Sequence, residues 1–223
     1  YTTSGGRDEE SIIRGTQPVC AENGEYKLAL SFNGNIVNAV NLANEIRGEL
    51  PSFSYDCDLE LIGKKLLFEL KKNKDLVSAV KTCMKEVEGA FSVVGITRKG
   101  ELFAFKDPFG IRPLCSGCSP DQKTCAFSSE TVGLNINGFE HGFELKPGEF
   151  VLATRDGFRR EQLVDSGRKA LCAFEFAYFA RPDSRLNGKY VYEVREEFGR
   201  NLGREYCDTV KRCDMIISLP ETS

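Results

Sequence analysis

The 223-residue chain contains one histidine, and no apolar run in it approaches the roughly 18 residues that a membrane-spanning helix requires. The longest apolar stretch, 171–180, is broken by Glu175, which speaks against a membrane-embedded protein. A basic stripe is missing as well. The 30 Lys+Arg and 33 Asp+Glu are interspersed and leave a net charge of −3, whereas neutralising nucleic-acid phosphates takes clustered cations, so nucleic acid is set aside as a main partner. No signal peptide opens the chain, and the nine cysteines form an odd, irregularly spaced set. Both features argue against a secreted disulfide framework and for a reducing compartment, with cytoplasm as the expectation. The lone His141, between Glu140 and Gly142, has no second histidine with which to share a metal and is read as part of a solvated polar turn.

What is there is a globular composition, 41% hydrophobic, with length for one large domain or one and a half and a real core. The stretch 27–32 alternates like a strand and runs into Asn33-Gly34-Asn35, a turn-forming cluster, after which 36–50 carries apolar residues at helical spacing. The expectation is strand, tight turn, helix. Leu59, Ile62, Leu66, Leu67 and Leu70 share one face of a helix over 58–72, and Asp75 caps a second helix, through Glu86, lying beside the first. Short β-rich runs at 90–97, 101–106, 113–118, 124–128 and 149–155 alternate with turn formers such as Asp107-Pro108-Phe109-Gly110, which predicts an antiparallel meander. Together these elements make an α+β fold with helices packed on stacked antiparallel sheets. The polar stretch 156–169 leads to a domain boundary near 168. Beyond it, a charged helix over 191–211 carries Tyr190, Val194, Phe198 and Leu202 as a stripe, expected to pack on a buried parallel strand over 215–219.

Asn33-Gly34 offers a side-chain amide and a glycine N–H that a ligand can approach closely, the two donors an oxyanion hole needs, although an ordinary turn contains the same pair. Cys115-x-x-Cys118 with Cys125 supplies three soft ligands but no fourth at zinc spacing. A hairpin with loop 120–123 would instead pair Ser119 with Thr124 and set Cys118 opposite Cys125, near disulfide reach, with free thiols the expected state in a reducing cytoplasm.

In their order and intervals, Tyr1-Thr2-Thr3-Ser4-Gly5-Gly6, Gln17-Pro18, Phe32-Asn33-Gly34-Asn35 and Asp58-Leu59-Glu60 resemble the glutaminase domain of class II glutamine amidotransferases. Asp107-Pro108-Phe109-Gly110-Ile111-Arg112-Pro113-Leu114, Ser129-Glu130, Pro147-Gly148-Glu149, the run Phe174 to Ser184 and Leu219-Pro220-Glu221-Thr222-Ser223 narrow the likeness. With them, essentially the whole chain is similar to the amidophosphoribosyltransferase family. The segment containing Tyr178-Phe179-Ala180-Arg181-Pro182-Asp183-Ser184 is the most specific part of that resemblance.

The resemblance implies a four-layer αββα N-terminal-nucleophile hydrolase sandwich over 1–168, then, over 169–223, an interdomain segment and the first helix and strand of an α/β phosphoribosyltransferase domain. It implies that a terminal cysteine thiolate attacks glutamine, its own α-amine serving as base, and that the ammonia displaces pyrophosphate from phosphoribosyl pyrophosphate to give phosphoribosylamine, the first committed step of purine synthesis. In that scheme Asn33 and Gly34 form the oxyanion hole, Asp58 pairs with the α-ammonium of glutamine, and Thr3 binds near its α-carboxylate. Thr222 matches a Mg2+ position and Cys172 the position of a ligand to a [4Fe-4S] cluster in those members that carry one. A homo-oligomer is expected of the full-length protein. The chain opens on Tyr1, so the nucleophile and the arginine that the family places just before the tyrosine are expected upstream, and the chain as given is expected to be inactive alone. Phe32 stands where many members have histidine. The alternative is a non-catalytic regulatory or binding module that kept the scaffold, distinguished by what precedes Tyr1.

Overall fold

The computed structural model describes residues 9–49, 51 and 53–218. In chain order the elements are α1 (Glu9–Arg14), β1 (Val19–Asn23), β2 (Tyr26–Ile36), α2 (Ala39–Glu49), α3 (Asp58–Asn73), α4 (Leu76–Glu86), β3 (Gly89–Thr97) and β4 (Leu102–Lys106). They continue with β5 (Cys115–Cys118), β6 (Cys125–Ser128), α5 (Thr131–Ile136), β7 (Glu140–Glu144), β8 (Glu149–Thr154) and β9 (Gly157–Gln162). A π-helical turn (Glu175–Phe179), β10 (Arg185–Leu186), β11 (Lys189–Tyr190), α6 (Val191–Glu205) and α7 (Cys207–Val210) complete them. No helix among the described residues is long and apolar enough to cross a membrane.

The chain divides into two compact units. The first joins Tyr1–Leu114 with Leu145–Leu171. Its sheet is antiparallel and six-stranded, in the order β1-β2-β3-β4-β8-β9. Helix α3 forms because apolar residues recur at helical spacing, with Asp58 and Glu60 in the first turn and Lys71 and Lys72 in the last to complement the dipole. It stops at Lys74, whose left-handed backbone (φ 57°) returns its N–H to the Leu70 carbonyl. Asp75 caps α4 by accepting the Ser78 N–H at 2.8 Å. The inward faces of these helices meet Ala21, Leu28 and Leu30 of the sheet in one core with Phe91, Phe103, Phe105 and Phe150. Each of these aromatic side chains, fully buried, contributes roughly 1.5–3 kcal/mol.

The second unit joins Cys115–Glu144 with Cys172–Ser223. Its three-stranded sheet runs β6-β5-β7, with α5 on one face: a Cβ added to Gly117 would lie 3.1 Å from the Leu134 side chain. A smaller cluster of Phe176, Ala180, Leu186 and Val191 seats the start of α6. Each unit is thus a helix layer on an antiparallel sheet.

Six expectations need correction. Asn33-Gly34-Asn35 is no turn: β2 runs unbroken to Ile36 because β3 pairs with it residue by residue, Asn33 opposite Ser92 and Gly34 opposite Phe91. The β-rich runs do not form one meander but divide between two sheets. The polar stretch after 156 contains β9, an edge strand whose Arg159, Arg160 and Glu161 suit its exposed position, and His141 lies in β7, opposite Gly117. Residues 215–218 form no strand and Met215, Ile216 and Ile217 are exposed; a parallel strand needs a neighbour to complete its ladder, and none pairs with it among the described residues. Only the first part of the α6 stripe packs, through Val194, while Phe198 and Leu202 are exposed.

Candidate active site

The end of β2 is where the candidate residues gather. Backbone groups of successive strand residues alternate between the two edges, and here the alternation is legible from their partners. The Phe91 carbonyl accepts the Asp107 N–H at 2.9 Å, and the Phe91 N–H donates to Asp107 Oδ2 at 3.1 Å. Phe91 therefore turns its backbone toward β4, so its pairing with Gly34 is of the non-hydrogen-bonded kind and the Gly34 N–H projects to the other edge of β2, the edge that carries β1. On that edge β1 reaches only as far as Leu30. Beyond it, the Gln17 side-chain amide takes over as a substitute strand, accepting the Phe32 N–H at 2.8 Å and donating to the Phe32 carbonyl at 3.0 Å. Two residues past Gly34, the Ile36 N–H donates to Asp58 Oδ2 at 2.9 Å. Gly34 thus lies between two N–H groups engaged by side chains, and Asp58, buried at the first turn of α3, is tied to the same edge.

Gly34 is also required by packing alone. A Cβ there would come within 2.1 Å of the Ala90 carbonyl oxygen and 2.7 Å of the Phe91 Cα. Phe32 is half-buried and packs against the core at this strand end.

Behind the pair stands Asp107, fully buried, which accepts four backbone N–H groups: Phe109 and Gly110 on Oδ1 at 2.9 and 2.8 Å, and Phe91 and Ile111 on Oδ2 at 3.1 and 3.0 Å. Gly110 closes the turn at φ 69°. The Ser92 hydroxyl donates to the Arg112 carbonyl at 3.0 Å. The 107–112 loop is therefore fastened to Phe91 and Ser92, the two residues that face Gly34 and Asn33. Sequence reasoning quoted Gln17 and Asp107 within motifs but missed what they do. An aspartate opening a Pro-Phe-Gly turn was the available signal for Asp107; nothing local marks Gln17.

Thr3 and Thr222 lie outside the described residues. Cys172 stands in the second unit, half-buried, just before the π-helical turn, where its carbonyl accepts the Glu175 N–H. Among the described residues it belongs to no set of three or more ligands able to hold a metal, and a cluster at Cys172 would need its other ligands from elsewhere. Cys57, next to Asp58, is buried, and burial pushes its thiol up, so it is not a ready nucleophile. Cys115 and Cys118 lie three apart on β5 and face opposite sides of the sheet, which removes the zinc option.

In the second unit the Ser129-Glu130 motif and the 174–184 run hold one another. Glu130 Oε2 accepts the Arg181 N–H at 2.8 Å and the Ser184 hydroxyl at 2.7 Å, and Thr131 Oγ1 accepts the Arg185 N–H at 2.8 Å. The Arg195 guanidinium donates to the carbonyls of Phe176 and Ala180, both at 2.7 Å, closing the end of the π-helical turn.

A family model described as a glutamine amidotransferase domain matches residues 9–135. The chain belongs to the glutamine amidotransferase family. Over its full length it is 32% identical to the amidophosphoribosyltransferase of Methanothermobacter thermautotrophicus, 33% to that of Synechococcus elongatus and 34% to that of Haemophilus influenzae, covering 45%, 44% and 46% of them. The chain thus spans somewhat less than half the length of these curated relatives. Among solved structures it is similar to the glutamine phosphoribosylpyrophosphate amidotransferase of B. subtilis complexed with ADP and GMP, with a TM-score of 0.78 at 27% identity, covering 86% of this chain and 41% of that one. A structure described as the allosteric regulatory enzyme of purine biosynthesis matches with a TM-score of 0.76, also at 27% identity, covering 86% of this chain and 40% of that one. The fold of this amidotransferase domain is accordingly the α+β N-terminal-nucleophile type that the motifs implied.

Proposed function

We propose that the chain is the glutaminase part of an amidophosphoribosyltransferase, which hydrolyses glutamine and passes the ammonia to phosphoribosyl pyrophosphate. The observation that carries this reading is the edge of β2, where the Gly34 N–H lies one strand repeat from the point at which Asp58 is anchored to Ile36. Alternate strand residues are roughly 7 Å apart, a distance on the scale of the glutamine side chain from α-amine to amide. A substrate lying along this edge places its α-ammonium at Asp58 and its amide carbonyl at Gly34. When a thiolate attacks the amide carbon, the new oxyanion is received by the Gly34 N–H and the Asn33 side-chain amide, which also binds the next oxyanion as water releases glutamate. Ordered donors of this kind are worth about 3 kcal/mol each in comparable sites. Gln17, Ser92 and Asp107 hold the strand pair that presents them. The reading carries Mg2+ at the transferase site and self-assembly as further expectations.

The test is a coupled assay on the complete gene product, following glutamate and pyrophosphate together. Equimolar glutamate and pyrophosphate, with ammonium salts able to replace glutamine, is the expected result. Glutamate without pyrophosphate would overturn the transferase assignment, and pyrophosphate release with ammonium but not with glutamine would overturn the glutaminase.

A further inference from the structure

The β5–β6 hairpin holds a feature that the glutaminase reading leaves unused. Ser119 and Thr124 close it, the Ser119 N–H donating to the Thr124 carbonyl at 2.9 Å, and Cys118 lies directly opposite Cys125 in the next pair. Because Ser119 and Thr124 make the hydrogen-bonded closure, the cysteines occupy the adjacent non-hydrogen-bonded position, where Cα atoms stand about 4.5 Å apart. That is the close end of the separation a disulfide spans. Directly opposed side chains project from the same face, and here it is the face away from α5, since Gly117 is the β5 residue that meets Leu134. Both thiols are free and half-buried, so they are near each other and within reach of a small reagent.

We propose that Cys118 and Cys125 form a reversible dithiol–disulfide modification site whose co-substrate is a small disulfide of low charge. The Cys118 thiolate attacks one sulfur of the disulfide, breaking its S–S bond and releasing one thiolate. The Cys125 thiol gives its proton to water, and its sulfur then displaces the second thiolate from Cys118. Two protein thiols are oxidised and one disulfide is reduced to two thiols. Burial, followed by the neighbouring Cys118, pushes the Cys125 thiol up, which assigns the first attack to Cys118. Glu140, opposite Cys118 on β7 and exposed, disfavours anionic oxidants. The modification ties down β6, which leads straight into Ser129 and Glu130, the residue that grips Arg181 and Ser184.

The experiment equilibrates the folded protein with hydroxyethyl disulfide, quenches by alkylation and maps tryptic peptides without reduction. Lys123 lies between the two cysteines, so cleavage there leaves them joined only by the new bond. The expected result is loss of two of the nine thiols, one cross-linked peptide pair, and full reversal by excess thiol. Cys115 shares a peptide with Cys118; Cys115→Ser should keep the cross-link and Cys118→Ser should abolish it. Oxidation should be slower with oxidised glutathione at equal concentration. No cross-link in the unmodified sequence, or one that survives Cys118→Ser, would overturn the proposal.

Discussion

Asp107 and Lys65 are both fully buried charges of the first unit, and they are satisfied in opposite ways. Asp107 takes backbone N–H groups, three from its own loop and one from Phe91. Lys65 takes side chains from three helices, Glu45 at 2.8 Å, Glu69 at 3.1 Å and Glu86 at 2.5 Å. Burial works against its ammonium, yet the hydrogen bonds it donates to Glu45, Glu86 and Glu69 outweigh that and hold its pKa above the ordinary lysine range. Backbone partners fix the path of a chain, whereas side-chain partners fix the spacing of helices. Asp107 accordingly sets the geometry of the strand pair at the candidate site, and Lys65 holds together a helix layer that serves it as scaffold. The difference teaches that burial of charge alone does not mark function here; the identity of the partners does.

Asp107→Ala gives the largest expected loss. It strands four backbone donors, each costing about 1–3 kcal/mol when left without a partner, so the total should exceed about 4 kcal/mol. Lys65→Met follows, at about 3–5 kcal/mol, because three carboxylates are left around an apolar side chain. Urea unfolding of both variants checks the order, and a smaller loss for Asp107→Ala than for Lys65→Met would break the comparison. Glutamine turnover per folded molecule sharpens it, since Lys65→Met should leave it intact.

Alkaline pH probes the helix layer without mutation. A lysine whose folded pKa is raised contributes its stability below its unfolded pKa and loses it as pH rises through the folded one. Burial pushes up the thiol of Cys83, beside this cluster, so stability is lost once the unfolded thiol ionises near pH 8.5–9. Stability should therefore fall above about pH 9, less steeply in Cys83→Ala relative to its own neutral-pH value, with the Lys65 share lost only above about pH 10.4. A flat profile to about pH 11 would remove the burial account of Cys83, and no further loss above about pH 10.4 in Cys83→Ala would remove the charge account of Lys65. The smallest expected effect is Gln17→Ala, about 1 kcal/mol for hydrogen bonds lost at a half-exposed strand edge. Its value lies in kinetics: if Gln17 positions Phe32 and so Asn33, the glutamine-dependent rate should drop more than stability does, and an unchanged rate would confine Gln17 to the fold.

Helices α3 and α4 could be read from the chain because their apolar spacing and the Asp75 cap are local signals. The Cys118–Cys125 register was legible for the same reason, a short loop fixing its own hairpin. Asn33-Gly34-Asn35 misled because Asn-Gly favours turns locally, while pairing with β3 and the 2.1 Å approach to Ala90 impose extension from outside. β9 was masked by polarity, since an edge strand buries little. Lys65 was invisible because Glu45, Glu69 and Glu86 come from three helices whose packing no local pattern discloses. The identities of Asn33, Gly34 and Asp58 were legible through motif order; that the Gly34 N–H and Asp58 share one edge of β2 became visible only with Phe91 turned toward Asp107.

The central claim is that Asn33 and Gly34 at this edge receive the oxyanion of glutamine hydrolysis. The measurement that tests it most directly compares Asn33→Ala with the unsubstituted complete gene product in two assays, one fed glutamine and one fed ammonium. Glutamine-dependent synthesis should fall about 100-fold or more, with ammonium-dependent synthesis preserved, because only acyl transfer needs the donor. Equal losses in the two assays, or no loss in either, would contradict the account.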